Sequence, residues 1–516
     1  MRESIATIEY EVKGGIETNM SEIRVLHVVG QLNLGGAESR IMDLYRNIDR
    51  EKVQFDFVVH TPAHCYFEDE AKSLGANIYR IPRFRVYNYF SYKRAWKKFF
   101  EAHMLTDDEA KANTQAQNQA EGSVSKSEFA VVQGHMTSTA SIYLPIAKAA
   151  GVKTTVAHAR SAGVDKGLKG KITKFMRKNL ADRADFLFTC SDFASKAVFG
   201  EKAMREKKIT FIPNAIDTDK YIFDEKVRDE MRKKLGIEDK LVFGHVGRFH
   251  YAKNHEYLLK VFKEIVKLCD ESKMISNAAG GENTEMQNGK LCGSKSPVLI
   301  MLGDGPRMDE MQALAKNMGI SENVKFLGSQ ADIEKYYPAM DCFLYPSRYE
   351  GLPGTVIEAQ ASGLPVLMSS EICPECVITD LVKTLGIDID PKEWAKAALK
   401  EVGVKIENDT NVINASDGST ANAGETANGS TADAGKAKND NAADAGKTPT
   451  SSVTDAGNKT DGFVSFGNED DLKQIDVFRE AFAGKVAIAG FNVKAQAKQM
   501  RAFYEMASQV GENNAF

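Results

Sequence analysis

No stretch of this 516-residue sequence approaches the roughly 18 consecutive apolar residues that a membrane-spanning helix needs. No helix is therefore expected to cross a bilayer. Residues 1–20 are too acidic and polar for the apolar core of a signal peptide, so the expected compartment is the cytoplasm. A strong charge excess is also lacking. Lys and Arg number 67 against 71 Asp and Glu, for a net charge of −4. That balance offers no broad cationic field and argues against nucleic acid as a partner. Cysteine is sparse: seven residues are scattered along the chain, as in a reducing compartment. Cys373 and Cys376 make one C-x-x-C. Neither a second pair nor nearby histidines accompany it, so no metal site is expected there.

What the chain does contain is organised around Asp341 to Leu367, DCFLYPSRYEGLPGTVIEAQASGLPVL. Cys342 to Tyr345 have a buried-strand pattern, ended by Pro346 and Ser347. A Gly/Pro loop follows, Glu350-Gly351-Leu352-Pro353-Gly354. A helix is predicted from Thr355, a fair N-cap, through Glu358 and Gln360, and Gly363 stops it. Free N–H groups from Gly351 to Thr355 then sit at a helix N-terminus, which favours a phosphate. Glu350 and Glu358 flank that anion site. Carboxylates repel phosphate but suit neutral hydroxyls such as a vicinal diol, as in dinucleotide folds. A ligand with a central diphosphate and a sugar at each end fits both demands: a nucleotide-sugar.

Glu350, seven residues, Glu358-Ala359, then Gly363-Leu364-Pro365-Val366 resembles the signature of the family 4 retaining glycosyltransferases of GT-B fold, and among them the bacterial exopolysaccharide and capsule transferases. The resemblance implies an α/β protein with two Rossmann-like parallel-sheet domains facing a cleft. It also implies a C-terminal crossover helix.

Several other segments are then read beside it. Gly30-Gln-Leu-Asn-Leu-Gly35-Gly36-Ala37-Glu38 lies between a strand pattern and a helix pattern that ends near Ile48. Its spacing is neither a Walker nor a dinucleotide fingerprint. It resembles the family's first loop, where paired glycines let backbone approach diphosphate and acceptor. Alternating strand and helix patterns through Phe55–Val59, Phe67–Leu74 and Asn77–Ile81 indicate a parallel sheet. The strand pattern at Phe129 ends in Gln133-Gly134-His135. The family often has V-H-x-H here, and its second histidine, matched by His135, contacts the donor sugar. This chain has Gln133 in place of the first. Lys166 to Lys178 interleaves cations with Leu168, Ile172, Phe175 and Met176 at helical spacing. That pattern fits a helix lying on an anionic membrane, and equally a solvated face over a core stripe. Pro213-Asn214-Ala215-Ile216-Asp217 resembles the interdomain hinge. Asp217-Thr-Asp219 matches a D-x-D string, but a hinge is the wrong place for a metal motif.

In the second half a strand pattern from Leu241 delivers Arg248 to the cleft edge, with Lys253-Asn254 before the next helix. Two fixed cations can offset the charge on a departing diphosphate, and Arg can do so bidentately. This resembles the family's GR…KN element. Gly303-Asp304-Gly305-Pro306 makes another glycine turn after a strand, and Val324 to Gly328 matches the region that lies against the nucleobase.

The expected division is an extension over 1–20 and an acceptor-side domain over 21–214 with a polar insertion at 106–127. A donor domain over 215–490 follows, with insertions at 270–296 and 405–462, and then a closing helix within 491–516. The stretch 405–462, rich in Ala, Gly, Asn, Asp, Thr and Ser, cannot bury enough apolar surface to order itself. The resemblance implies a hexosyl transferase without cofactor or metal. Its donor would be a nucleoside-diphosphate sugar, taken as a UDP-sugar, and its acceptor a glycan or lipid-linked oligosaccharide. Its place would be the cytoplasm and the inner face of the plasma membrane. Arg248, Lys253, Glu350 and His135 are the catalytic candidates. Gly35, Gly36, Gly303, Gly351, Leu352, Pro353, Gly354, Thr355 and Glu358 are the donor-binding ones. Rival readings are a phosphorylase or nucleotide-sugar epimerase of the same fold, and an inactive sugar-binding scaffold.

Overall fold

A computed structural model describes residues 22–106, 127–160, 167–278, 295–404, 479 and 481–509. The leading extension over 1–20, the predicted insertion at 405–462, and all but the ends of those predicted at 106–127 and 270–296 lie outside these residues.

The described chain builds two parallel sheets, the α/β architecture that the alternating pattern predicts. The first has the order β3-β2-β1-β4-β5-β6-β7. Its strands are β1 (Ile23–Val28), β2 (Val53–Val59), β3 (Ile78–Arg80), β4 (Val131–Gly134), β5 (Thr154–Ala159), β6 (Phe186–Thr189) and β7 (Ile209–Phe211). The second has the order β10-β9-β8-β11-β12-β13. Its strands are β8 (Lys240–Val246), β9 (Ser296–Leu302), β10 (Val324–Phe326), β11 (Cys342–Tyr345), β12 (Val366–Ser369) and β13 (Val382–Leu385). Every residue of β2, β4, β5, β11 and β12 is buried, because helices cover both faces of a parallel sheet.

Strand order reverses between β1 and β4 in the first sheet and between β8 and β11 in the second. Such switch points open a crevice at the carboxyl ends of the strands, where ligands of doubly wound sheets bind. All four switch-point strands end in segments singled out from the sequence. The first glycine loop follows β1, His135 follows β4, Arg248 follows β8, and Glu350 to Gly354 follow β11.

Two local expectations shift. The helix predicted after Lys253-Asn254 runs His255–Ala278, into the stretch composition marks as an insertion from residue 270. Its Glu, Lys and Met residues keep helical propensity despite their polarity. The other shift is at the donor loop. Thr355 does not cap the helix, which spans Gly354–Ala361 with Pro353 at the N-cap and no side-chain cap bond.

The last helix, Val493–Gln509, returns to the first sheet. Val493, Ala497, Met500, Tyr504 and Ala507 are buried with Val25, Phe55 and Phe57. The Thr154 hydroxyl donates to the Ala507 carbonyl at 2.8 Å. At the hinge, Ile216 N–H donates to Phe491 O at 2.8 Å and Val493 N–H to Ile216 O at 2.9 Å. Asp219 pairs with Lys494 at 2.5 Å. The D-x-D string thus ties the hinge to the closing helix.

Candidate active site

The donor loop is held from both sheets. The Gly351 carbonyl accepts from Ser191 Oγ of the first sheet at 3.0 Å and from Cys373 Sγ at 2.7 Å. The Leu352 carbonyl accepts from Asn214 Nδ2 at 3.0 Å. Cys373 and Cys376 are buried free thiols, so the C-x-x-C serves here as a floor under the loop. Gly351, Leu352 and Pro353 are buried. With carbonyls spoken for and no side-chain cap, the first-turn N–H groups are the loop's remaining polar edge. The buried hydroxyl of Ser347 has no hydrogen-bond partner among the described residues.

Lys253 lies against this edge. Its Nζ pairs with Glu350 Oε1 at 2.8 Å and donates to the Tyr345 hydroxyl. Burial by itself would depress this ammonium. The carboxylate of Glu350 and the Tyr345 ring outweigh it and hold the lysine above its usual range. Gly247, next to Arg248, packs on the Lys253 side chain: a Cβ there would come within 3.1 Å of Lys253 Cε. Arg248 itself is exposed. Gly303 makes this arrangement possible. Its φ is +131°, and a Cβ on it would meet the Gly247 carbonyl at 2.2 Å. It acts by close backbone approach between the ends of β8 and β9.

Across the cleft, Gly35 is the extended N-cap of the helix Gly36–Asn47. A side chain at Gly35 would collide with Glu38 Oε2 at 2.5 Å, whereas Gly36 faces open space. Burial raises the Glu38 carboxyl, and the charges of Arg160 and Arg248 oppose that rise. One carboxylate therefore senses cations from both sheets.

His135 is less free than its position suggests. Arg160 Nε donates to its Nδ1 at 3.1 Å, and its Nε2 lies 3.0 Å from His27 Nδ1. A guanidinium can only donate, so His135 Nδ1 is the acceptor and Nε2 carries the proton, given to His27. Burial, then the Arg160 charge, keeps the ring neutral. In this conformation both nitrogens are engaged within the protein. Gln133 points into the interior, bridging His158 Nδ1 at 2.8 Å and the Tyr504 hydroxyl at 2.6 Å.

Glu358 departs most from expectation. It does not face an open ribose site. It is 2% exposed, with Oε1 on Arg40 Nη2 at 3.0 Å and Oε2 on the Tyr337 hydroxyl at 2.6 Å. Arg40 comes from the helix after the first glycine loop, so closure of the two sheets covers the carboxylate.

Residues that the sequence reading did not assign complete the site. Arg160 Nη1 donates to Asn214 Oδ1 at 3.0 Å, so His135, Arg160, Asn214 and the Leu352 carbonyl form one hydrogen-bonded chain from the end of β4 to the donor loop. Arg160 follows directly on β5, and that strand-exit position is a signal for it. Arg40 and Tyr337 carry no such local signal. Among the described residues, no group of three or more His, Cys, Asp or Glu could hold a metal ion.

Comparison with known proteins agrees with this construction. The family Glycosyltransferase Family 4 matches residues 34–220, and Glycosyl transferases group 1 matches 227–402. The putative glycosyltransferase EpsF of Bacillus subtilis is 30% identical, covering 73% of this chain and 87% of its own length. The capsular polysaccharide biosynthesis glycosyltransferase CapH of Staphylococcus aureus is 24% identical, covering 76% and 95%. The crystal structure of Anabaena HepE in complex with UDP has a similar fold. Its TM-score is 0.52 at 15% identity, covering 74% of this chain and 89% of that one.

Proposed function

The chain belongs to the family 4 glycosyltransferases, and from that premise we propose that it moves a hexosyl group from a UDP-sugar to a glycan or lipid-linked oligosaccharide in making a cell-surface polysaccharide. CapH supports the polysaccharide role by its name, and HepE, solved with UDP, supports the uridine. The observation that carries the reading is the Lys253–Glu350 pair at 2.8 Å, set against an uncapped helix start.

In this reading the diphosphate lies on the N–H groups of Gly351 to Thr355, with Arg248 and Lys253 beside it. The bond from the anomeric carbon to the phosphate oxygen breaks, and the nucleotide leaves with the electron pair. The acceptor oxygen bonds to the same carbon on the same face, so configuration is retained. The acceptor's proton passes to the departing phosphate. Fixed cations and N–H dipoles stabilise the charge as it develops, without reorganising. Glu350 orients donor hydroxyls. Glu358 takes the ribose diol once Arg40 withdraws. His135, turned from Arg160, would reach the sugar from the other side. A lipid-linked acceptor brings the enzyme to the inner face of the membrane.

The test is release of nucleoside diphosphate from a panel of nucleotide-sugars, with and without acceptor. Acceptor-dependent release from a UDP-sugar is expected. Release that requires inorganic phosphate, or epimerised donor without acceptor, would reject the reading.

A further inference from the structure

Four of the exposed large hydrophobic residues fall within the five consecutive positions 86–90. Val86 is 61% exposed, Tyr87 81%, Tyr89 38% and Phe90 83%. They sit where the chain leaves β3 and enters the helix Tyr89–Ala102. That helix is anchored by Tyr92, Trp96 and Phe100, all buried, at a spacing of four. Its outer face carries Lys93, Arg94, Lys97 and Lys98, and the preceding turn carries Arg83 and Arg85. All six of these cations are exposed, and none forms an ion pair among the described residues. From residue 71 to residue 100 there is no Asp or Glu. The helix carries one exposed acid, Glu101, near its end, against four exposed cations. In a chain of net charge −4, this is a predominantly cationic surface with an aromatic tip.

We propose that the Val86–Phe90 tip and the helix Tyr89–Ala102 dock on an anionic lipid bilayer, with Tyr87 and Phe90 entering the headgroup region and the cations lying along it. Aromatic rings beside a cationic helix face match the chemistry of such an interface. An acidic surface would supply the charge complement that the protein itself does not. The tip leaves the carboxyl end of β3, the same edge of the sheet on which the cleft opens. Docking would therefore turn the acceptor side of the cleft toward the bilayer. A second basic helix, Gly167–Arg177, has Phe175 76% exposed. The helix Thr137–Ala149 packs against both basic helices, so Gly167–Arg177 flanks the same face and plays a secondary part. The inference gains its purpose from the lipid-linked acceptor proposed above, but its observations are independent of that reading.

The experiment is co-sedimentation of the full chain with phosphatidylcholine vesicles, with and without phosphatidylglycerol. The wild type is expected to pellet with the anionic vesicles and to release in salt. Lys93→Gln/Arg94→Gln should weaken binding roughly 30-fold, at about fivefold per charge. Tyr87→Ser/Phe90→Ser should lower it at every salt concentration, while Lys171→Gln/Lys174→Gln has the smaller effect. Nucleotide release with a water-soluble acceptor should stay at the wild-type rate in all three. Equal pelleting with neutral vesicles, or unchanged binding in the first two variants, overturns the proposal. So does a solution dimer that Tyr87→Ser/Phe90→Ser dissociates, since the occupant is then a second copy. Vesicle binding without any transfer activity would reject the transferase reading and leave this one standing.

Discussion

Arg40 and Glu358 meet at 3.0 Å although 318 residues separate them, and their side chains are 8% and 3% exposed. Arg40 belongs to the helix after the first glycine loop and Glu358 to the helix after the donor loop, so the pair fastens one sheet to the other. Removing one partner of a buried pair leaves an uncompensated charge, at about 3–5 kcal/mol. Opening of the cleft relieves that cost more cheaply than unfolding does. Arg40→Met should therefore give a more expanded free enzyme by small-angle scattering, with Arg40→Met/Glu358→Met returning toward the wild-type dimension. An unchanged scattering profile in Arg40→Met would count against the latch.

Lys253 and Arg248 are expected to share one task at different structural cost. Arg248 is exposed, whereas Lys253 is paired and enclosed with Glu350 and Tyr345. Either Arg248→Ala or Lys253→Ala should lower kcat by about 100-fold or more, on the scale of losing a preorganised charge donor. Only Lys253→Ala should also lower Tm. Near-normal turnover in both would remove them from the mechanism.

With charge carried by side chains and N–H groups, transfer should continue in a chelator. Full loss in EDTA, restored by magnesium or manganese, would replace this mechanism with a metal-dependent one.

Acid should destabilise the fold through its buried histidines. Burial drives His27 and His245 down to about 3 and His255 to about 2. His135 and His158 are also pushed well below their usual value. These rings are neutral in the fold and titrate near 6.5 when unfolded. Their contribution is thus complete above that value and is lost as pH falls toward the folded values. Each adds on the order of 1 kcal/mol per pH unit to the loss. Denaturant midpoints measured between roughly pH 7 and pH 5.5 should fall steeply. A flat profile would mean that these rings are not held neutral by burial.

The donor loop was legible because its signals are local. Cys342 to Tyr345 read as a strand and form β11 without adjustment. Gly351 to Gly354 read as a loop at a helix start, and the structure agrees to within one residue. The environment of each acid was not legible. Glu350 meets Lys253 and Glu358 meets Arg40, and those outcomes depend on which way a side chain leaves its loop or helix and what a neighbouring strand or the other sheet presents there. Likewise Gln133 reads as a departure at the cleft, yet it turns inward to Tyr504 of the last helix.

From residue order come the two alternating strand–helix series, the glycine loops after β1 and β11, and the cations after β8. Hydrophobic period, turn residues and caps act within a few residues of one another, and one chain suffices to state them. The assembly of those loops into a single crevice required the strand order, with reversals beside β1 and β8. The Arg160–Asn214 bond, the Arg40 latch and the aromatic tip at Phe90 needed the folded chain for the same reason. Distance through space and exposure to water are set by packing between segments hundreds of residues apart, and no local pattern encodes them.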